Sequence, residues 1–304
     1  MRTAFINQLM AEAEQNDRIF LLVGDLGFSV VEPFAERFPN QYLNVGIAEQ
    51  NMAGMAAGLA MEGYCVYIYS IGNFPTLRCM EQIRYDICYH NLNVKIVAVG
   101  GGYSYAALGA SHHATEEYGM LRTIPNLTIC TPGDPEETRQ ITAFSARYNG
   151  PVYLRLGKAG EPLVHEKGSI SNIEKGQVLN VVKGGKIAVL STGGVLKYAA
   201  DFVQTNQLNA SVYSFPFIKP VDENQLLSIF QKYDKLITIE EHQLMGGFGS
   251  VILEYLNDLY GRGSILKMPR VKRIGINDKF YSIAGTQAYL RELSGIQLQL
   301  TDFI

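Results

Sequence analysis

One carboxylate heads a stretch otherwise made of small and apolar residues: Asn44-Val-Gly-Ile-Ala-Glu49-Gln-Asn-Met-Ala-Gly-Met-Ala-Ala-Gly-Leu-Ala60. A charge placed there needs a reason, because burying an ionised carboxylate without a partner is costly. Glu49 therefore caps its own helix, where the macrodipole favours an acid, or stays protonated, or meets a basic group. The small residues Ala53, Gly54, Ala57, Gly58 and Ala60 permit a very close approach of another backbone, at an interface or in a core. Other residues able to do chemistry are Asp25 and Ser29 after a short apolar run, Phe74 and Arg78 four positions apart, the pair His112-His113, and Lys158 in Arg155-Leu-Gly-Lys158. A histidine, with an ordinary pKa of about 6.5, can give and take a proton near neutral pH.

The elements that must position these groups follow a regular alternation. Residues 3 to 15 are predicted to form an amphipathic helix, and Ile19 to Val23 reads as a buried parallel strand whose tip, Gly24-Asp25, lies where ligands usually bind. Predicted strands at 42–45, 65–70, 94–99, 127–130 and 151–156 alternate with predicted helices at 48–61, 76–89, 116–123 and 135–148. From about Gly157 to Gly176 the sequence turns polar and loses its period, as a linker does. Beyond it, strands at 187–191, 210–214 and 235–239 alternate with helices near 196–205, 224–233 and 248–259. The expected fold is α/β, with two doubly wound domains, 1–160 and 177–304, joined by a linker at 161–176.

Composition narrows the function classes. The 304 residues are 47% hydrophobic and 18% charged, with 18 Tyr and 14 Phe, ample for globular cores and unlike a disordered chain. A formal charge of -3 leaves no electrostatic footprint for nucleic acid. No apolar run is long enough for a membrane span and the first residues lack a signal-peptide core, so the expectation is a cytoplasmic protein with no membrane partner. Cys65, Cys79, Cys88 and Cys130 have no metal-ligand spacing and read as buried free thiols, so no metal site is expected within the chain. Gly100-Gly101-Gly102 and Gly246-Gly247-Phe-Gly249 resemble phosphate cradles but lack the strand, spacing and acid of a dinucleotide fingerprint.

The segment GIAEQNMAGMAAGLA resembles the G-x-x-E-x-x-M-x-x-x-x-x-G signature of the pyrimidine-binding domain in transketolases and deoxyxylulose-phosphate synthases. Similarity continues in order through GDLGFS at 24–29, FPTLRCMEQIRYD at 74–86, ASHHATEE at 110–117, IPNLTICTPGDPEE at 124–137, STGGVL at 191–196 and IEEHQLMGGFGS at 239–250. The resemblance implies thiamine diphosphate as cofactor, with Glu49 as the family's glutamate hydrogen-bonded to N1′ of the aminopyrimidine and Phe74 stacked on that ring. It implies Asp25 on the thiazolium side, Ser29 within reach of a substrate phosphate, and Arg78 beside the cofactor or in a salt bridge within the fold. His112 matches the family's substrate-facing histidine, with His113 beside it, and Lys158 stands where the family places a phosphate-binding arginine.

Two departures concern the substrate: the family's sugar-reading acid is Leu108 here, and its acceptor-phosphate histidine is Gly100. A third concerns the assembly. There is no G-D-G followed by the asparagine with which relatives hold Mg²⁺ and diphosphate; the nearest strings are Gly24-Asp25-Leu26 and Gly133-Asp134-Pro135. The resemblance thus implies the C-terminal half of a split transketolase that moves a two-carbon ketol unit between sugars or sugar phosphates. A separate N-terminal diphosphate-binding subunit would hold the metal and the diphosphate, two copies of each chain forming an α2β2 heterotetramer. Alternatives are a deoxyxylulose-phosphate-synthase-like condensation, a 2-oxo-acid dehydrogenase β-type subunit, and a non-catalytic regulatory subunit.

Overall fold

A computed structural model describes residues 1–304. The chain opens with α1 (Arg2–Ala13), β1 (Ile19–Val23), α2 (Glu32–Arg37), β2 (Tyr42–Asn44), α3 (Glu49–Met61) and β3 (Cys65–Ile71). A 3-10 turn (Leu77–Cys79), the single turn α4 (Met80–Gln82) and a π-helix (Ile83–Cys88) then lead into β4 (Val94–Val99). Next come α5 (Glu117–Leu121), β5 (Thr128–Cys130), α6 (Pro135–Arg147) and β6 (Val152–Leu156). The downstream half holds β7 (Leu179–Val182), β8 (Ile187–Ser191), α7 (Leu196–Thr205), β9 (Ala210–Ser214), β10 (Phe217–Lys219), α8 (Glu223–Lys232), β11 (Lys235–Gln243), α9 (Phe248–Gly261), β12 (Arg270–Ile276) and α10 (Gln287–Leu293).

The strands form two sheets. One has seven strands in the order β10-β5-β6-β4-β3-β1-β2, parallel except for β10; the other has five in the order β12-β11-β8-β9-β7, parallel except for β7. Central strands such as β4 are buried on both faces, which is why their sequences run apolar without alternation. Its one charge, Lys95, donates to the carbonyls of Tyr148 and Gly150 at 2.7 and 2.6 Å, and burial pushes its pKa down to about 8.

Polar contacts weld the two halves. Arg155 Nη2 donates to the Glu241 carbonyl at 3.0 Å, Tyr118 stacks on His242 with ring centroids 3.7 Å apart, and Gln243 N donates to the Thr115 carbonyl at 2.8 Å. Asp134 caps α6 through the Glu137 amide and accepts from the amides of Val164 and His165, tying the linker to that helix.

Several expectations need correction. The continuous helix expected at 76–89 is a 3-10, α and π mixture, because its start is drawn into the turn where Thr76 Oγ1 donates to the Gly72 carbonyl. The first helix ends at Ala13, two residues early. Elements α2, β7, β10, β12 and α10 were not expected; β10 belongs by sequence to the downstream half yet pairs antiparallel with β5 in the first sheet.

Candidate active site

Parallel strands gather their C-terminal ends at one edge of the first sheet, and the crevice outside such ends is where open α/β sheets bind ligands. Gly24 and Asp25 follow β1, Asn44 ends β2, Ser70 lies at the end of β3, and Gly100 follows β4. Glu49, the first residue of α3, is brought to the same place and is only 4% exposed. A Cβ at Gly24 would stand in ordinary contact with this floor, 3.8 Å from Glu49 Cγ and 3.5 Å from Ser70 Oγ. The Ser70 hydroxyl is buried and has no partner in the chain.

Arg78 Nη1 donates to Glu49 Oε2 at 3.2 Å, and its Cζ lies 4.1 Å over the centroid of the Phe74 ring. The basic group that a buried Glu49 required is therefore Arg78. Phe74 meets His112 edge to face at 5.5 Å, and His112 Nδ1 shares a hydrogen bond with Ser111 Oγ at 3.0 Å. Asn73 Nδ2 donates to the His113 carbonyl at 2.6 Å, fixing the histidine loop to the end of β3. His113 is buried against Tyr103, at 5.1 Å, and burial lowers its pKa below the usual imidazole range. Its Nε2 has no partner.

Asp25 takes a positive φ of 54°. Its carboxylate accepts from Asn44 Nδ2 at 3.0 Å while its amide donates to Asn44 Oδ1 at 3.1 Å, a reciprocal clamp that aims the acid. Ser29 also has a positive φ, 62°, and its amide donates to Glu32 Oε1 at 2.8 Å, leaving the hydroxyl exposed and free. Glu49, Phe74, Arg78 and His112 thus form a contact chain, with Asp25 and Ser29 on the neighbouring strand tip. Lys158 lies elsewhere, in a cleft between the two halves with Arg155, Lys197 and Arg291.

Sequence reasoning missed Asn44, Ser70, Asn73 and Tyr105. Asn44 was visible as the first residue of the Glu49 segment; Ser70, at the end of β3, and Asn73 and Tyr105, in loops, act through geometry that no spacing announces. Tyr105 explains Gly100: a Cβ at position 100, where φ is 92°, would stand 2.2 Å from the Tyr105 ring, so that ring fills the space a side chain would take. Leu108 sits in a 3-10 turn, 56% exposed.

These groups suit one end of thiamine diphosphate. A near-buried carboxylate and an unpartnered hydroxyl stand beside an aromatic face, and the cation among them, Arg78, already serves Glu49.

Comparison with known proteins agrees with this geometry. Residues 1–160 match the model of the transketolase pyrimidine-binding domain, and residues 176–290 match that of the transketolase C-terminal domain. A putative transketolase C-terminal section from Methanocaldococcus jannaschii is 33% identical, over 92% of this chain and 87% of that protein. An apulose-4-phosphate transketolase subunit of Actinobacillus succinogenes is 34% identical, over 88% of this chain and 84% of that one. A solved structure described as a split gene transketolase, inactive beta4 tetramer, superimposes with a TM-score of 0.86 at 33% identity, covering 97% of this chain and 93% of its own. The chain belongs to the transketolase family, of which it carries the pyrimidine-binding and C-terminal domains.

Proposed function

We propose that this chain is one subunit of a two-chain, thiamine-diphosphate-dependent transketolase that transfers a two-carbon ketol unit between sugars. The observation that carries this reading is Glu49, almost fully buried at the start of α3 and joined through Arg78 to the Phe74 face and so to His112. When bound, the cofactor supplies the nucleophilic carbon and the electron sink. The protein sets protonation and orientation. Glu49 holds a proton at the N1′ ring nitrogen in a site shielded from water, where such a bond is stronger than in bulk solvent. Phe74 offers its face to the ring, an offset stack worth roughly 0.5 to 1.5 kcal/mol beyond burial. His112, aimed by Ser111, moves a proton at the substrate carbonyl or hydroxyl oxygen.

The second chain supplies the diphosphate-binding residues and Mg²⁺, in an α2β2 assembly. Phe28 and Ile47, 75% and 77% exposed, flank Asp25 and Glu49, and large apolar side chains left bare beside a site mark a surface that another chain covers. The four free, buried cysteines suit a reducing, cytoplasmic setting.

For the substrate, Leu108 offers no hydrogen bond and the Tyr105 ring replaces any side chain at 100. A donor hydroxyl or acceptor phosphate held at these positions in relatives must find another partner here. The name of the Actinobacillus protein, an apulose-4-phosphate transketolase subunit, supports a sugar phosphate other than xylulose 5-phosphate or ribose 5-phosphate. The test is reconstitution with a separate chain that carries the G-D-G…N segment, assayed with thiamine diphosphate and Mg²⁺. Ketol transfer should need both chains; transfer by this chain alone would overturn the two-chain reading.

A further inference from the structure

The run Gly100-Gly101-Gly102, which resembles a phosphate cradle in sequence, is a seat for large side chains. A Cβ on Gly101 would stand 2.7 Å from Arg155 Cγ; one on Gly102, where φ is 63°, would stand 2.6 Å from Glu241 Cγ. Neither place admits a side chain unless a buried charged neighbour moves. Glu241 belongs to β11, in the downstream half, and is only 3% exposed. It nevertheless reaches the first half, where its Oε1 accepts the Tyr103 amide at 3.0 Å. Two residues one turn apart on α10 hold the same carboxylate: Gln287 Nε2 donates to both oxygens at 3.1 Å, and Arg291 Nη2 to Oε2 at 2.7 Å. Every one of these partners is a donor, so an ionised carboxylate satisfies them all.

Gly102 and Tyr103 form the neck of the loop that carries His112. Gly102 N donates to the Ala114 carbonyl at 2.7 Å and Ala114 N to the Gly102 carbonyl at 3.1 Å, which closes residues 103–113 into a loop. Tyr103 and Ala106 of that loop belong to the apolar core of the downstream half, with Ile237, Ile239 and Leu290. The Tyr103 ring meets His113 edge to face at 5.1 Å and Tyr281 likewise at 6.3 Å. Gly285 N donates to the Ala106 carbonyl at 3.4 Å. The substrate-facing histidine therefore rides on a loop whose underside is built into the other half of the chain.

We propose that Glu241 is a positioning residue for His112, through which β11 and α10 set the place of the imidazole in the site. The inference rests on the ketol-transfer reading and adds to it a residue of the downstream half, acting through the Tyr103 amide.

The test is Glu241→Gln in the reconstituted enzyme. The amide has the same shape but must turn its NH2 toward one of these donors, so either the Tyr103 amide or Arg291 loses its acceptor. A misplaced imidazole should lower kcat about tenfold, with the cofactor Kd unchanged because Glu49 and Phe74 lie outside the loop. In a His112→Ala background the same substitution should change kcat by less than about twofold. Gln287→Ala, which leaves the carboxylate charged and paired with Arg291, is the milder variant and should lower kcat about threefold, again only where His112 is present. An unchanged kcat in Glu241→Gln, or equal losses with and without His112, would overturn the proposal. Hydrogen exchange of residues 103–113 in the complete chain separates this inference from the reaction on which it rests. Faster exchange there in Glu241→Gln, beside a wild-type enzyme that transfers no ketol unit, would support the positioning of the loop and overturn the ketol-transfer reading. Unchanged exchange would overturn the positioning whatever the reaction.

Discussion

The guanidinium of Arg78 is bonded to the carboxylate of Glu49 at 3.2 Å while its Cζ lies 4.1 Å over the Phe74 ring centroid, so one cation occupies the two surfaces that the proposed function gives to an aminopyrimidine. Without cofactor, this arrangement neutralises a carboxylate that burial would otherwise penalise. With cofactor, Arg78 must leave the ring.

Arg78 is half exposed, and an ion pair in that setting is worth roughly 0.2 to 1 kcal/mol. Arg78→Ala is therefore expected to tighten cofactor binding to the reconstituted enzyme by about two- to fivefold, since a competitor is removed. Titration of the cofactor against both proteins checks it. A weaker affinity in the Ala variant would instead place the guanidinium in direct contact with the cofactor.

The chain by itself should respond weakly to thiamine diphosphate and Mg²⁺, because its site offers only the ring-binding groups. Ligand at a hundred times its Kd stabilises a protein by about 2.7 kcal/mol. A thermal shift of that order with this chain alone would show that it binds the diphosphate end as well.

Leu108 bears on the donor. Leu108 is exposed in this chain, and where the second chain covers it, a hydroxyl left unpaired against it would cost about 1 to 3 kcal/mol, roughly a ten- to hundredfold handicap. The reconstituted wild type should turn over xylulose 5-phosphate with ribose 5-phosphate poorly, and Leu108→Asp should improve it. Efficient wild-type turnover with no gain in the variant would remove Leu108 from donor selection. Gly100→His alone should lose stability, because its side chain would be built into the Tyr105 ring.

The linker should loosen as pH rises. His165 Nδ1 lies 3.4 Å from Asp134 Oδ2 at the cap of α6 and 3.6 Å from Glu137 Oε1; burial opposes its charge, but the nearby carboxylates outweigh that and raise its pKa. Glu137 is pushed up to about 7, chiefly by burial. Both bind protons more tightly folded than unfolded, so their contribution is present below their ordinary values and is lost as pH climbs through about 7 and above. Burial opposes it, but the nearby His165 ring and the three backbone amides of Glu137, Val164 and His165 shift the Asp134 pKa down, so its contribution fades only in acid. Limited proteolysis between residues 157 and 176 should be faster at about pH 8 than at about pH 6, and His165→Gln should flatten the difference. Equal rates in the wild type would contradict it.

Much of the site was legible because it is written in local chemistry. Glu49 stood out as a lone charge in a small-residue helix, and the alternation of apolar strands with helices placed Gly24-Asp25 at a strand tip. What the sequence did not disclose depends on contacts between distant residues. Arg78 could have faced either way from its turn, and only the fold puts it on Glu49, twenty-nine positions earlier. Gly100 looked like a lost histidine until Tyr105 was seen to fill its place. Strand β10 is too short to show a period, and its partner is β5, across the domain boundary.

The central claim, that Glu49 protonates the cofactor ring, is tested most directly by Glu49→Gln in the reconstituted enzyme. An amide still accepts from Arg78 and fits the same space, so the chain should fold, assemble and melt near the wild-type temperature. It cannot supply the proton, so ketol transfer should fall by at least a hundredfold, about 2.7 kcal/mol in the barrier. Retention of more than about a tenth of wild-type activity, a change under about 1.4 kcal/mol, would contradict the assignment.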